Sequence, residues 1–158
     1  MTIQIDSREK ARAITKIIDT FDKNNVKHFV SKLHTGDYMS LDNPRLIVDR
    51  KQNLLEVCNN VCQDHKRFVN ELNRANELGV ELVFLVEHSR NIKILDDVQH
   101  WVNPRLKTSP MAVSGDRLYK ILSTMEKTYG TKFLFCDKQH TGERIISILS
   151  NKERFEKL

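Results

Sequence analysis

Two aspartates and a lysine lie close together in the segment GDYMSLDNPRLIVDRK, which spans residues 36–51. Asp37 begins one predicted strand and Asp49 ends the next, so a tight hairpin would bring the two carboxylates together. Asp49 and Lys51 are two residues apart on one strand and therefore point to the same face, whereas Arg50 points away. Carboxylates bind hard divalent cations, and a lysine beside them orients water or stabilises charge on phosphoryl oxygens. These residue types therefore predict metal-assisted hydrolysis of a phosphodiester.

The elements that position these residues alternate between strands and helices. Two-residue and 3.6-residue apolar periods predict strands at 2–6, 26–33, 37–41, 45–50, 81–87 and 132–136, and helices at 11–21, 54–72, 118–129 and 143–150. The long helical pattern from residue 54 stops near Gly79, and residues 89–114 are predicted to form a long loop with some helix. This alternation predicts an α/β fold with a mixed central sheet flanked by helices.

Four short motifs follow one another in a recognisable order: IDSRE at 5–9, TGDY at 35–38, VDRK at 48–51 and LVE at 85–87. Together they resemble the nuclease domain of the XPF/Hef family of structure-specific DNA endonucleases, whose site has the PD-(D/E)xK pattern. The resemblance covers roughly residues 3–90. It implies a restriction-endonuclease-like core, DNA as substrate and Mg²⁺ or Mn²⁺ as cofactor.

The resemblance also assigns roles to individual residues. Asp37 and Asp49 match the acids that bind the metal and take part in catalysis, with Asp49 standing where the family has glutamate. Lys51 matches the catalytic lysine. Asp6 and Glu9 of the first motif are further catalytic candidates.

Three arginines match positions that contact substrate phosphates in the resemblance. They are Arg8 in the first motif, Arg50 beside the lysine, and Arg67 in the helix that follows. Where the family has an acid four residues after the lysine, this chain has Leu55, and Glu56 is one residue later. Glu87 is either part of the site or a solvated strand end.

The expected organisation is a single nuclease domain over residues 1–158, completed by a helix-strand-helix unit at 115–150. The family's helix-hairpin-helix module has no counterpart in the pattern of residues 91–158. We therefore expect a single-domain bacterial or phage member, acting as a homodimer or with a partner that supplies DNA binding. The alternatives are an inactive DNA-binding or scaffold subunit, favoured by Leu55, and an exonuclease or nickase with loose substrate choice.

The composition is consistent with a nuclease and argues against a membrane or secreted protein. The 158 residues carry 26 Lys and Arg against 21 Asp and Glu, a net charge of +5 that permits a polyanionic partner. No apolar run approaches the ~18 residues of a membrane span, and no signal peptide is recognisable, so we expect no membrane partner and a cytoplasmic location. Cys58, Cys62 and His65 have a spacing that suggests a metal site, but the pattern lacks a fourth ligand and favours buried core cysteines.

Overall fold

Six strands form one mixed sheet in the computed structural model, which describes residues 1–150 of the chain. The strands are β1 (Thr2–Ile5), β2 (Lys27–Val30), β3 (Tyr38–Ser40), β4 (Asn43–Lys51), β5 (Glu81–Glu87) and β6 (Lys132–Cys136). Their spatial order is β2-β1-β3-β4-β5-β6. Strand β3 is antiparallel to both of its neighbours, and the other pairs are parallel. The expected mixed α/β sheet is confirmed.

Helices cover both faces of this sheet. They are α1 (Thr15–Lys23), α2 (Leu54–Cys62), α3 (His65–Glu77), α4 (Gly115–Tyr129) and α5 (Thr141–Leu149). One apolar cluster joins α2, α3 and α4 to Phe84 and Val86 of β5. The other cluster joins α1 and α5 to Val83 and Leu85 of the same strand. Strand β5 is therefore buried on both faces, as its nearly continuous apolar sequence predicts.

Several predicted boundaries were wrong. The single long helix from residue 54 is two helices, separated at Gln63 and Asp64, whose amides both donate to the carbonyl of Asn59. Its apolar period continues across the break because Val61 and Phe68 pack into the same cluster. Helix α1 begins at residue 15, after a 3-10 turn at Ala11–Ala13, and β4 begins at residue 43, two residues before its predicted start. Residues 89–114 do contain two short 3-10 helices, at Leu95–His100 and Pro104–Lys107.

The sheet topology brings the motif residues to one edge. The carboxyl ends of the parallel strands β1, β4 and β5 point the same way, and antiparallel β3 begins at that edge. Asp6 follows β1, Asp37 precedes β3, Asp49 lies near the end of β4, and Glu87 ends β5. Ligands of α/β sheets commonly bind beyond the carboxyl ends of strands, which makes this edge the place to look for chemistry.

Within residues 1–150, no helix has the length and apolar character needed to cross a bilayer. The single domain over residues 1–158 stays a prediction, and its last eight residues lie outside the described part of the chain.

Candidate active site

Asp37 and Asp49 face each other at the edge of the sheet. The amide of Asp37 donates to the carbonyl of Val48 at 2.8 Å, which locks the start of β3 against β4. The amide of Arg50 donates to the carboxylate of Asp37 at 2.8 Å, and the carboxyl groups of Asp37 and Asp49 hydrogen-bond to each other. The hairpin thus brings together the two acids that the sequence singles out.

Gly36 makes the close approach of these strands feasible. Its φ is +70°, a left-handed conformation that favours glycine, and a Cβ atom there would overlap the Cγ2 of Ile47. The TGDY motif therefore has a structural reason for its glycine as well as a chemical one for its aspartate.

Burial and mutual repulsion keep the pair from carrying two charges in the absence of a cation. Burial, then the charges of Asp49 and Glu9, raise the pKa of Asp37 from 3.8 to about 9. Burial also raises the pKa of Asp49, although Lys51 opposes this effect. The Asp37 carboxyl of the metal-free protein consequently keeps a proton near neutral pH, a behaviour expected where two carboxylates occupy one desolvated site.

Lys51 lies beside this pair on the same face of β4. Its Nζ is 3.6 Å from Oδ1 of Asp49 and 5.7 Å from the centroid of the Phe84 ring. Burial would lower the pKa of Lys51, but the carboxylates of Asp49, Glu56 and Glu71 outweigh it, so the pKa is raised. The ammonium group is therefore charged and held where a phosphoryl oxygen or a water molecule next to the pair would meet it.

Arg50 points to the opposite face of the sheet and enters a buried network of charges. Its Nε donates to Glu9 at 2.8 Å and its Nη1 to Glu87 at 2.5 Å. The Tyr38 hydroxyl donates to Glu9 at 2.7 Å, and the Thr141 hydroxyl donates to Glu87 at 2.6 Å. Desolvation would lower the pKa of Arg50, but the two glutamates outweigh it and raise the pKa. This network fastens β3, β4, β5 and α5 together directly beneath the carboxylate pair.

The network contains three residues that the sequence analysis considered for the site, namely Glu9, Arg50 and Glu87. Glu9 and Glu87 lie on the face of the sheet away from Asp49, each holding the guanidinium of Arg50. Arg50 is only 7% exposed and is already paired twice, so its geometry favours a positioning role. Its contact with substrate phosphate stays a prediction.

Asp6 is fully buried and organises the loop after β1. It accepts from the Nε of Arg8 at 2.6 Å and from the amide of Leu33 at 2.8 Å. Burial would raise the pKa of Asp6, but these hydrogen bonds and the Arg8 charge outweigh it and lower the pKa. Asp6 thereby fixes the base of the Arg8 side chain, which remains 62% exposed.

A basic groove lies between this loop and α3. It encloses about 530 Å³ and is lined by the cations Arg8, Lys66, Arg67 and Arg74, and also by His34, Thr35 and Glu71. Thr35 donates to Glu71 at 3.3 Å, and the charge of Glu71 acts on both Asp49 and Lys51. Glu71 therefore lines the groove and also acts electrostatically on the pair, and the groove contains two of the three predicted phosphate-contacting arginines.

Glu71, Tyr38 and Thr141 belong to this region, but no role in the site was predicted for them from sequence. The position of Glu71 one helical turn after Arg67, on the same face of α3, is part of the resemblance to the family's helix after the lysine motif. Thr141 lies 54 residues from its partner Glu87, and no local pattern links them. Glu56 accepts from the amide of Gln52 at 2.8 Å and so helps to cap α2.

The carboxylate pair fits a small divalent cation. Two facing carboxylates offer the oxygen ligands that Mg²⁺ prefers in proteins, where water and substrate oxygens commonly complete its coordination. Among residues 1–150, no three His, Cys, Asp or Glu side chains are grouped so as to hold a metal by themselves, which includes Cys58 and Cys62.

Comparison with known proteins places this geometry in a family. The ERCC4 domain family model matches residues 5–148. XPF from Aeropyrum pernix is similar in structure, with a TM-score of 0.68, 18% identity and coverage of 98% of this chain and 66% of that chain. XPF from Aeropyrum pernix in a complex with DNA gives a TM-score of 0.65 and 21% identity, covering 99% of this chain and 68% of that one. No curated protein matches the sequence significantly.

Proposed function

The chain belongs to the ERCC4 domain family, and on that premise we propose that it is a metal-dependent DNA endonuclease that hydrolyses phosphodiester bonds. The observation that carries the proposal is the pair formed by half-buried Asp37 and buried Asp49, with the Lys51 ammonium 3.6 Å from the Asp49 carboxylate. The similar XPF structure that contains DNA is consistent with DNA as the substrate class.

Each member of the pair has a defined part in the proposed reaction. Asp37 and Asp49 would hold Mg²⁺ or Mn²⁺ through their carboxylate oxygens, and Asp37 would give up its proton to do so. The cation, when bound, activates water and stabilises negative charge on the phosphoryl oxygens. Lys51 keeps its positive charge and orients the attacking water or a non-bridging oxygen.

The basic groove supplies binding to the DNA backbone. Arg8 and Arg67 lie on opposite walls of the groove, with Lys66 and Arg74 beside the latter. Phosphate contacts of this kind position a nucleic acid without reading its sequence, so we propose a substrate chosen by shape, such as a branched or flap structure.

Cleavage of labelled DNA tests the proposal directly. A flap substrate and a linear duplex are incubated with Mg²⁺ or Mn²⁺ and the wild type, Asp49→Asn or Lys51→Met. Asp19→Asn, which removes an exposed acid of α1, is the matched control. We expect cutting by the wild type and the control, and a loss of about a thousandfold in both site variants.

The outcomes separate the candidate functions. Cutting of the flap in preference to the duplex supports the proposed specificity, whereas end-dependent shortening of the duplex indicates an exonuclease. DNA binding without cutting by the wild type, in either metal, would overturn the enzyme proposal in favour of a scaffold subunit.

We further propose that the domain works in a reducing cytosol, in bacterial or phage DNA repair, recombination or replication. Cys58, Cys62 and Cys136 are all free thiols, which is typical of such a compartment. Homodimerisation, or a partner that adds DNA affinity, belongs to the same proposal and is tested by light scattering with and without DNA.

A further inference from the structure

A second basic cavity opens on the other face of the sheet, at the same edge as the carboxylate pair. It encloses about 490 Å³ and is lined by Arg12, Thr15 and Lys16 at the start of α1, by Lys138 before α5, and by Arg50 and Glu87. We call it the α1–α5 cavity. None of its exposed cations belongs to a motif that the sequence analysis singles out.

Close packing of α1 against α5 assembles this cavity. Gly142 lies directly against Thr20, where an added Cβ would come within 2.7 Å of the Thr20 Cβ. The Nζ of Lys16 donates to Oε1 of Gln139 at 3.3 Å across the same contact. Lys138 is therefore held next to Lys16 although the two residues are far apart in the chain.

The charge of the cavity suits a phosphodiester. Arg12, Lys16 and Lys138 are exposed at its rim, and Glu87 is the one acid among its lining residues. The ion pair with Arg50 offsets part of the negative charge of Glu87, and the Thr141 hydroxyl donates to its other oxygen. Three cations around an open space of this size favour an anion that stays charged at all working pH values.

The position of the cavity relates it to the site of cleavage. Arg50 lines the cavity, while its chain neighbours Asp49 and Lys51 point to the opposite face. One sheet edge therefore separates the cavity from the carboxylate pair. A flexible strand lying across the pair can continue over this edge, whereas the basic groove beside α3 lies on the other side of the pair.

We propose that the α1–α5 cavity is a second backbone subsite, which binds a phosphate of the cleaved DNA strand beyond the scissile bond. This inference rests on the proposed nuclease function and adds a strand path to it: groove, carboxylate pair, then cavity. Because the path crosses the edge of the sheet, it requires a strand that bends, and unpaired DNA bends more readily than a duplex.

A pair of double variants tests the subsite. Lys16→Gln/Lys138→Gln removes two cavity cations, and Lys23→Gln/Lys27→Gln removes two exposed lysines from the far end of α1 and the start of β2. The two proteins have the same net charge, so a general electrostatic effect is equal in both. Binding of a fluorescent single strand is measured in EDTA across a range of salt concentrations, and thermal unfolding checks that both variants fold.

We expect the cavity variant to bind the strand about tenfold more weakly than the control, with the slope of log K against log salt reduced by roughly one. In cleavage of a flap with Mg²⁺, its KM should rise while kcat is retained. In NMR spectra of the wild type, the strand should shift the amide signals of Lys16, Lys138 and Gln139 in EDTA.

Equal affinities and salt slopes for the two double variants, with normal binding and cutting by the wild type, would overturn the subsite and leave the nuclease proposal standing. Shifts of the cavity amides by inorganic phosphate but not by the strand would also overturn it, by showing a small-anion site. Failure of the wild type to bind any DNA would overturn both proposals.

Discussion

The proton on the Asp37 carboxyl makes the stability of the metal-free protein depend on pH. With the pKa of Asp37 raised from 3.8 to about 9, the folded state binds up to one more proton than the unfolded state at every pH between these values. The stabilisation is complete below the unfolded pKa and is lost as the pH rises towards the folded pKa. The free energy of unfolding should fall by at most about 1.4 kcal/mol per pH unit, or about 3 kcal/mol from pH 6 to pH 8.

The substitution Asp37→Asn isolates this effect. Asparagine has nearly the shape of the protonated acid, so it can accept from the Arg50 amide and donate to Asp49, but it does not titrate. Urea unfolding in EDTA is measured from pH 5 to pH 9 for the wild type, Asp37→Asn and the exposed control Asp19→Asn.

We expect the wild type and the Asp19→Asn control to lose stability in parallel as the pH rises. The Asp37→Asn protein should lose less stability over this pH range. The difference between its slope of unfolding free energy against pH and that of the wild type should approach the value for one proton. The same pH dependence of the unfolding free energy in all three proteins would refute the reasoning, since it would show that folding does not raise the pKa of Asp37.

Three further outcomes follow from the same geometry. Gly36→Ala should destabilise the protein by about 2–4 kcal/mol in urea unfolding, because the new Cβ is strained by the left-handed backbone and also overlaps Ile47. Gly79→Ala has the same backbone strain, at φ +69°, but open space around it, so it should destabilise the protein by only about 1 kcal/mol. Equal destabilisation by the two variants would contradict the packing argument. Arg50→Met should lower the free energy of unfolding by about 3–5 kcal/mol, because it leaves the buried carboxylates of Glu9 and Glu87 without their partner. A variant that is stable but binds DNA more weakly would instead support a direct contact of Arg50 with phosphate. Mg²⁺ at a hundredfold excess over its Kd should stabilise the wild type by about 3 kcal/mol at pH 8, measured as a rise in melting temperature. Asp37→Asn should be stabilised much less by the same Mg²⁺ concentration.

The close approach of Asp37, Asp49 and Lys51 could be predicted from sequence because it depends on local geometry. Alternation along a strand places Asp49 and Lys51 on one face, and a short hairpin brings Asp37 opposite. The buried strand at 81–87 and the end of α4 at Gly130, a left-handed residue, were predictable for the same reason, since each depends on a few neighbouring residues.

The break between α2 and α3 was missed for a physical reason. The apolar residues on either side keep the helical period, and neither glycine nor proline marks the turn at Gln63 and Asp64. The position of the break is decided by how two helices fit against one sheet face, which is a property of the packed protein.

The α/β architecture and the residues that face each other across one hairpin are properties that the amino-acid sequence encodes locally, and the proposed chemistry was inferred from those residues. Tertiary structure alone decided that Arg50 is held between Glu9 and Glu87, that Glu71 comes close to the carboxylate pair, and that basic cavities open on both sides of it. These contacts join residues from different strands and helices. Their partners depend on the order of strands in the sheet and on which helix covers which face, and no period along the chain encodes either.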